Sequence, residues 1–236
     1  MDVVTRDGLI AGVSVASVDD ERTVLSEPDH ATSILLRDTG EVMVLGPRTR
    51  AGYHVGAPGR SCVRVRLGPG ARPLLGRSVR DLVDRVVPLT ELWGRAPAEE
   101  LAEQLAGGDL SRAGETLARH GEVVGLVRDA ATLLAGQDRV SSAARRLHVS
   151  ERHLRTVFTD GVGLSPKQFA RIDRVRTVLA TPADRRFAQL ATEAGYYDQS
   201  HMTAEFRTVM GVAPLAFRRG RLPAATRCGE GSHGGR

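Results

Sequence analysis

The chain has 236 residues, of which 41% are hydrophobic and 26% charged. That is enough for one large or two small packed domains, and too apolar for wholesale disorder. The formal net charge is +5, and no run reaches the roughly 18 uncharged apolar residues of a membrane span. Two cysteines, Cys62 and Cys228, are too few for a disulfide framework or a four-cysteine zinc site. The segment Met1 to Asp7 is acidic and lacks the apolar core of a signal peptide, so a cytoplasmic location without a membrane partner is expected.

The charge is unevenly spread. Residues 1–125 hold 15 Arg against 18 Asp and Glu, net −3, whereas residues 126–222 hold 15 Arg and Lys167 against 9 Asp and Glu, net +7. A basic compact half suits a polyanion such as nucleic acid, although a solvated arginine-rich face gives the same count. Lys167 is the only lysine, so arginine frequency says little by itself.

In chain order, Leu9 to Val18 reads as a strand of small and apolar residues. Ser33–Leu36 and Glu41–Leu45 flank Asp38-Thr39-Gly40, the pattern of a hairpin. Ser61–Leu67 alternates with period two and predicts one buried face. Gly46-Pro47, Ala57-Pro58-Gly59 and Gly68-Pro69-Gly70 punctuate this β-rich unit. From Gly76 the period becomes helical. Ser78–Val86 predicts a Ser-capped helix, Leu89–Gly94 a short turn or helix, and Pro97–Leu105 and Leu110–His120 two more helices broken at Gly107-Gly108. Residues 121–220 read as helices with tight breaks, and the Gly-rich polar tail 223–236 as disordered.

The helical half contains an internal repeat. Ala144 matches Ala191 at a separation of 47; after a one-residue insertion in the second turn the separation is 48, and Leu154 matches Met202, Phe158 matches Phe206, Gly163 matches Gly211, Pro166 matches Pro214 and Phe169 matches Phe217. Each copy places a small alanine where a second helix crosses, then a tight turn, then a helix that buries residues at i and i+4 on one face. The opposite face is polar: Arg152, Arg155 and Thr156 in one copy, Gln199, Ser200 and Thr203 in the other. This is the helix-turn-helix pattern. Ser165-Pro166-Lys167-Gln168 reads as a capping-box start for a long helix to about Ala180, ended at Thr181-Pro182. That helix sets the separation of the two hairpins.

Residues 121–222 resemble the DNA-binding domain of the AraC/XylS family of bacterial transcription regulators. Gly195-Tyr196-Tyr197-Asp198-Gln199-Ser200-His201-Met202, Phe206-Arg207, Gly211-Val212-Ala213-Pro214 and Phe217-Arg218 match the family's signature segment. The departure is Tyr197, where a small polar cap such as Ser is usual; Asp198 takes over as cap. The resemblance implies seven helices with two helix-turn-helix units joined by a long helix. It also implies double-stranded DNA as partner and contact with, or exclusion of, RNA polymerase. Residues 1–120 resemble the N-terminal region of actinobacterial-type members through Gly76-Arg77-Ser78-Val79-Arg80-Asp81-Leu82 and Val87-Pro88-Leu89 with Leu92-Trp93-Gly94. This implies a sensor or dimerisation role, although the β part is short for a complete cupin-like barrel.

The expected class is therefore α+β: a β-rich N-terminal unit with helices over 1–120, an all-α DNA-binding domain over 121–222, and a tail. Recognition helices are expected at about 150–161 and 198–210. The expected DNA contacts are Arg152, Arg155, Thr156, Lys167, Gln199, Ser200 and Thr203, because arginine suits bidentate contact with guanine and the short neutral residues suit bases or phosphates. His153 and His201 fit packing or phosphate better than metal, and His30 and His54 lack the spacing of a metal site. Cys62 is expected to be buried and inert. Trp93 is expected as a core anchor or the wall of a ligand pocket. No nucleophile–base pair, phosphate loop or metal cluster is legible, which weighs against an enzyme and against a bound cofactor. A small-molecule effector or a second subunit is the expected partner of residues 1–120.

Overall fold

The computed structural model describes residues 8–20, 22–70, 78–120, 124–136, 138–182 and 185–227. The N-terminal part carries strands β1 (Ile10–Val18), β2 (Thr23–Ser26), β3 (Ser33–Arg37), β4 (Val42–Leu45), β5 (Gly52–Val55), β6 (Arg60–Leu67) and β7 (Val86–Pro88). It also holds helices α1 (Thr90–Trp93), α2 (Arg95–Ala106) and α3 (Leu110–Arg119). The C-terminal part holds α4 (Gly125–Ala135), α5 (Val140–Arg146), α6 (Glu151–Val162), α7 (Pro166–Ala180), α8 (Phe187–Glu193), α9 (Gln199–Met210) and α10 (Pro214–Arg218), then β8 (Thr226–Arg227). The α+β reading holds.

Five strands form one sheet in the order β1-β6-β3-β4-β7, antiparallel throughout. The alternation read along β6 places Val65 and Leu67 on a face shared with Ile34 and Val44, and α2 and α3 cover it with Leu101, Leu105, Ala113 and Leu117. Each such buried Val, Leu or Ile side chain contributes about 1.5–3 kcal/mol of transfer free energy. The β3–β4 turn closes at Gly40 with φ 81°, a left-handed position that glycine occupies without strain.

Three elements differ from the sequence expectation. Ser78–Val86 does not form a helix. Ser78 caps only a 3-10 turn, Val79–Leu82, after which Asp84 turns left-handed (φ 56°) and β7 pairs with β4. Val79 and Leu82 are buried in either geometry, so periodicity alone did not separate the two. A second sheet, order β2-β5-β8, is absent from the sequence reading. In it Thr226–Arg227, expected in a disordered tail, runs parallel to β5. Residues 228–236, including Cys228, and the segment 71–77 with Gly76 and Arg77, lie outside the described residues. Cys62 is half-buried rather than buried, with its thiol pushed up by burial.

The helical part has two cores. Val127, Ala130, Leu134, Ala143, Ala144, Leu154, Phe158, Phe169 and Ile172 make the first. Val175, Val178, Leu190, Ala191, Met202, Phe206 and Met210 make the second. The long helix α7 thus gives its first half to one core and its second half to the other.

The N-terminal part packs on both cores. Gly163 lies so close to Val79 that an added Cβ would meet the Val79 carbonyl oxygen at 2.8 Å. On the other side, the Ala51 amide donates to the Val209 carbonyl (2.9 Å) and the Tyr53 hydroxyl donates to the Met210 carbonyl (2.8 Å). Between them, buried Asp29 accepts from Arg64 (2.7 Å) and Arg66 (2.9 Å), and Arg176 of α7 stands 3.6 Å away. Arg176 also donates to the Pro28 carbonyl. His30 packs its ring on Phe169 and places Nε2 3.3 Å from Asp173 of α7.

Candidate nucleic-acid interface

Two helix-turn-helix hairpins, α5–α6 and α8–α9, carry the repeat. In each, the first helix ends on a residue with positive φ, His148 (55°) and Gly195 (77°). The amide of the following residue closes the turn: Val149 donates to the Ala144 carbonyl at 3.0 Å, and Tyr196 donates to the Ala191 carbonyl at 2.8 Å. These six-to-one bonds satisfy carbonyls that the helix end would leave unpaired. Ala144 and Ala191 are both buried, so the second helix crosses closely.

The second helices start and stop alike. Ser150 accepts from the His153 amide (3.1 Å), and Asp198 accepts from the His201 amide (2.7 Å), so Asp198 is the cap. Both helices end on left-handed glycines, Gly163 (φ 80°) and Gly211 (φ 74°). Leu154 and Phe158, or Met202 and Phe206, face the cores. The helices span Glu151–Val162 and Gln199–Met210, within a residue of expectation.

The outward faces hold most of the expected residues. Arg152, Arg155 and Thr156 are exposed on α6. Arg155 lies 3.3 Å from Glu151 one turn back, and the Thr156 hydroxyl donates to the Arg152 carbonyl at 3.1 Å. Gln199 and Ser200 are exposed on α9, while Thr203 is half-buried. Together with Ala204 and Arg207 they line a shallow open depression. Arg207, read in the sequence only as part of the signature segment, is not among the expected contacts; its spacing of four and eight residues from Thr203 and Gln199 marks the same face. Lys167 is exposed in the first turn of α7, where Ser165 and Gln168 form the expected capping box. It sits on a different helix from the other six.

Helix α9 is held against α7 by a forked ion pair. Arg174 donates to both oxygens of Glu205 (2.8 and 2.9 Å), and Arg171 stands 3.7 Å from the same carboxylate. The Arg174 guanidinium also lies over the Tyr196 ring at 5.2 Å. Burial, with Glu205 nearby, holds the Tyr196 hydroxyl well above the usual phenol range. His201 meets Tyr196 edge-on, and His153 is exposed. Trp93 is half-buried and stacks on His120 at 3.9 Å beside the core between the five-stranded sheet and α2–α3. Among the described residues, no group of three His, Cys, Asp or Glu side chains is placed to hold a metal ion, and no helix is long and apolar enough to cross a membrane.

The family model described as a helix-turn-helix domain matches residues 143–220. Three solved structures illustrate the likeness. Apo ToxT from Vibrio cholerae is 11% identical and covers 88% of this chain and 96% of its own, with a TM-score of 0.48. The C-terminal domain of AraT, a response regulator from Geobacillus stearothermophilus, is 22% identical over 44% and 92%, TM-score 0.37. The DNA-binding domain of AdpA, a global transcriptional factor in complex with a target DNA, is 26% identical over 40% and 87%, TM-score 0.36. No curated protein matches the chain. The matched span runs from within α5 to past the end of α10, so the C-terminal part of the chain carries a helix-turn-helix domain.

Proposed function

We propose that α6 and α9 are recognition helices that enter two major grooves on one face of a promoter site, with α7 setting their separation. The observation that carries this reading is the duplication itself: two hairpins share turn, cap, stop and core positions, while their outward faces differ. A shared frame with divergent faces suits two readings of different base pairs. Arg152 and Arg155 supply guanine-type contacts from α6. Gln199, Ser200 and Thr203 supply shorter contacts from α9, and Lys167 contacts phosphate.

Residues 1–120 act as the regulatory unit in this reading, biasing residues 121–222 in response to a small-molecule effector or a second copy of the chain. DNA occupancy is then passed on by contact with, or exclusion of, RNA polymerase, in the cytoplasm. The test is a binding titration of the full chain against DNA from its own genome. Replacing roughly 6–10 phosphate counterions loses about 10³–10⁵ in affinity between 50 and 200 mM salt. Absence of binding even at low salt refutes the reading.

A further inference from the structure

The two hairpins run in step except at one residue. Up to the turn their separation is 47, at Ala144 and Ala191, His148 and Gly195, Val149 and Tyr196. From the caps onward it is 48, at Ser150 and Asp198 and at Gly163 and Gly211. Tyr197 is the residue that makes the difference. It stands between the amide that closes the first helix and the side chain that caps the second.

An apolar residue just before a cap ordinarily packs back on the helix as a staple. Tyr197 does not: 93% of it is exposed, while its neighbour Tyr196 is buried. It does not cap either, because Asp198 does. The extra residue therefore adds a solvent-exposed ring with no packing role. An amphipathic phenol is a side chain enriched where partners bind. Its place points to DNA as that partner, since Gln199 and Ser200 open the outward face immediately after the cap, at the end of a recognition helix that meets base edges.

Resting on the reading of α9 above, we propose that Tyr197 is a DNA-positioning residue of the second hairpin. Its hydroxyl hydrogen-bonds a backbone phosphate at the lip of the groove that α9 enters, and its ring lies against the adjoining sugar. The side chain precedes the helix, so it flanks the groove rather than entering it, and phosphate contacts fix register without reading sequence. The first hairpin lacks a counterpart and carries Arg152 and Arg155 on its outward face. The second presents neutral Gln199, Ser200 and Thr203 at this end, and an uncharged anchor supplies its hold.

The test uses the full chain and measures DNA affinity at several salt concentrations. Tyr197→Phe is expected to lose about 3- to 10-fold, the range of one net hydrogen bond, and Tyr197→Ala more. Both losses are expected on specific and non-specific DNA alike, with the salt slope unchanged, because a neutral side chain displaces no counterion. Tyr197→Lys is expected to recover affinity at low salt and to steepen the slope by about 0.9. Unchanged affinity of Tyr197→Ala overturns the proposal and leaves the ring to a protein partner. A loss confined to particular base pairs overturns the phosphate assignment. A lowered unfolding midpoint in Tyr197→Ala overturns it too, since the ring would then be packing in the free protein. Failure of the unaltered chain to bind any DNA overturns the reading of α9 together with the proposal, and so is distinguishable from failure of Tyr197 alone.

Discussion

His148 and Gly195 hold the same turn position in the two hairpins, and both are left-handed, at φ 55° and 77°. A side chain in that region costs roughly 1–2 kcal/mol, which glycine avoids. Part of that gain is offset by the greater freedom of glycine in the unfolded chain. His148→Gly is therefore expected to stabilise the first hairpin by about 0.5–1 kcal/mol, and Gly195→Ala to destabilise the second by about 1 kcal/mol. Denaturant unfolding monitored by helical circular dichroism checks both.

The pairing of Arg155 with Glu151 bears on base reading. An arginine pre-ordered by a carboxylate one turn away enters the groove with less freedom to lose. Arg155→Ala is expected to cost about 1–3 kcal/mol and to relax preference at one or two base pairs. Lys167→Ala is expected to weaken all sequences alike. Selection from a randomised site library separates the two; uniform losses in both variants would show that Arg155 does not read a base.

The buried carboxylate of Asp29 predicts an acid-sensitive joint between the two parts of the chain. Burial alone would raise its pKa. The hydrogen bonds and charge of Arg66, with the charges of Arg176 and Arg64, outweigh burial and hold it well below the usual carboxylate range. A depressed pKa contributes stability that is present above about pH 4 and lost as pH falls through the folded value. Asp29→Asn removes one partner of a buried ion-pair group and is expected to cost about 3–5 kcal/mol at neutral pH. The gap between variant and unaltered chain is expected to close below about pH 4. A gap that stays constant on acidification would show that Asp29 is not the titrating group.

The packing of Gly163 against Val79 gives a steric test. A Cβ there meets backbone at 2.8 Å on a residue whose φ is 80°, so clash and strain add. Gly163→Ala is expected to destabilise by about 2 kcal/mol or more. Gly40→Ala, strained but in open space, is expected to cost about 1 kcal/mol. Thermal unfolding of the two variants measures the difference.

What the sequence shows and hides divides along range. The caps Ser150, Asp198 and Ser165, the stops Gly163 and Gly211, and the buried pairs at i and i+4 are local chemistry, and the repeat makes each visible twice. Strands β2, β5 and β8 are short, and their paired residues lie from 26 to 172 positions apart, so no local period announces them. The Val79–Leu82 segment shows the same limit, because two buried apolar residues three apart fit a 3-10 turn as well as a helix. On α6, the outward exposure of Arg155 was legible from its spacing, but its tie to Glu151 and the exposure of Tyr197 needed three dimensions. Asp29 was silent in sequence, since a lone Asp after a Pro looks like any turn residue.

The hydrogen bonds that the β5 segment makes to α9 end on the backbone of α9. Ala51 and Tyr53 bond the carbonyls of Val209 and Met210, oxygens that every amino acid supplies in the same place. The outward side chains of α9 can therefore be exchanged without altering what the sheet holds. Under the function proposed above, a lineage descended from this chain is free to drift to new operators while the contact between its two parts stays intact, and engineered exchange of Gln199, Ser200 and Thr203 inherits the same independence.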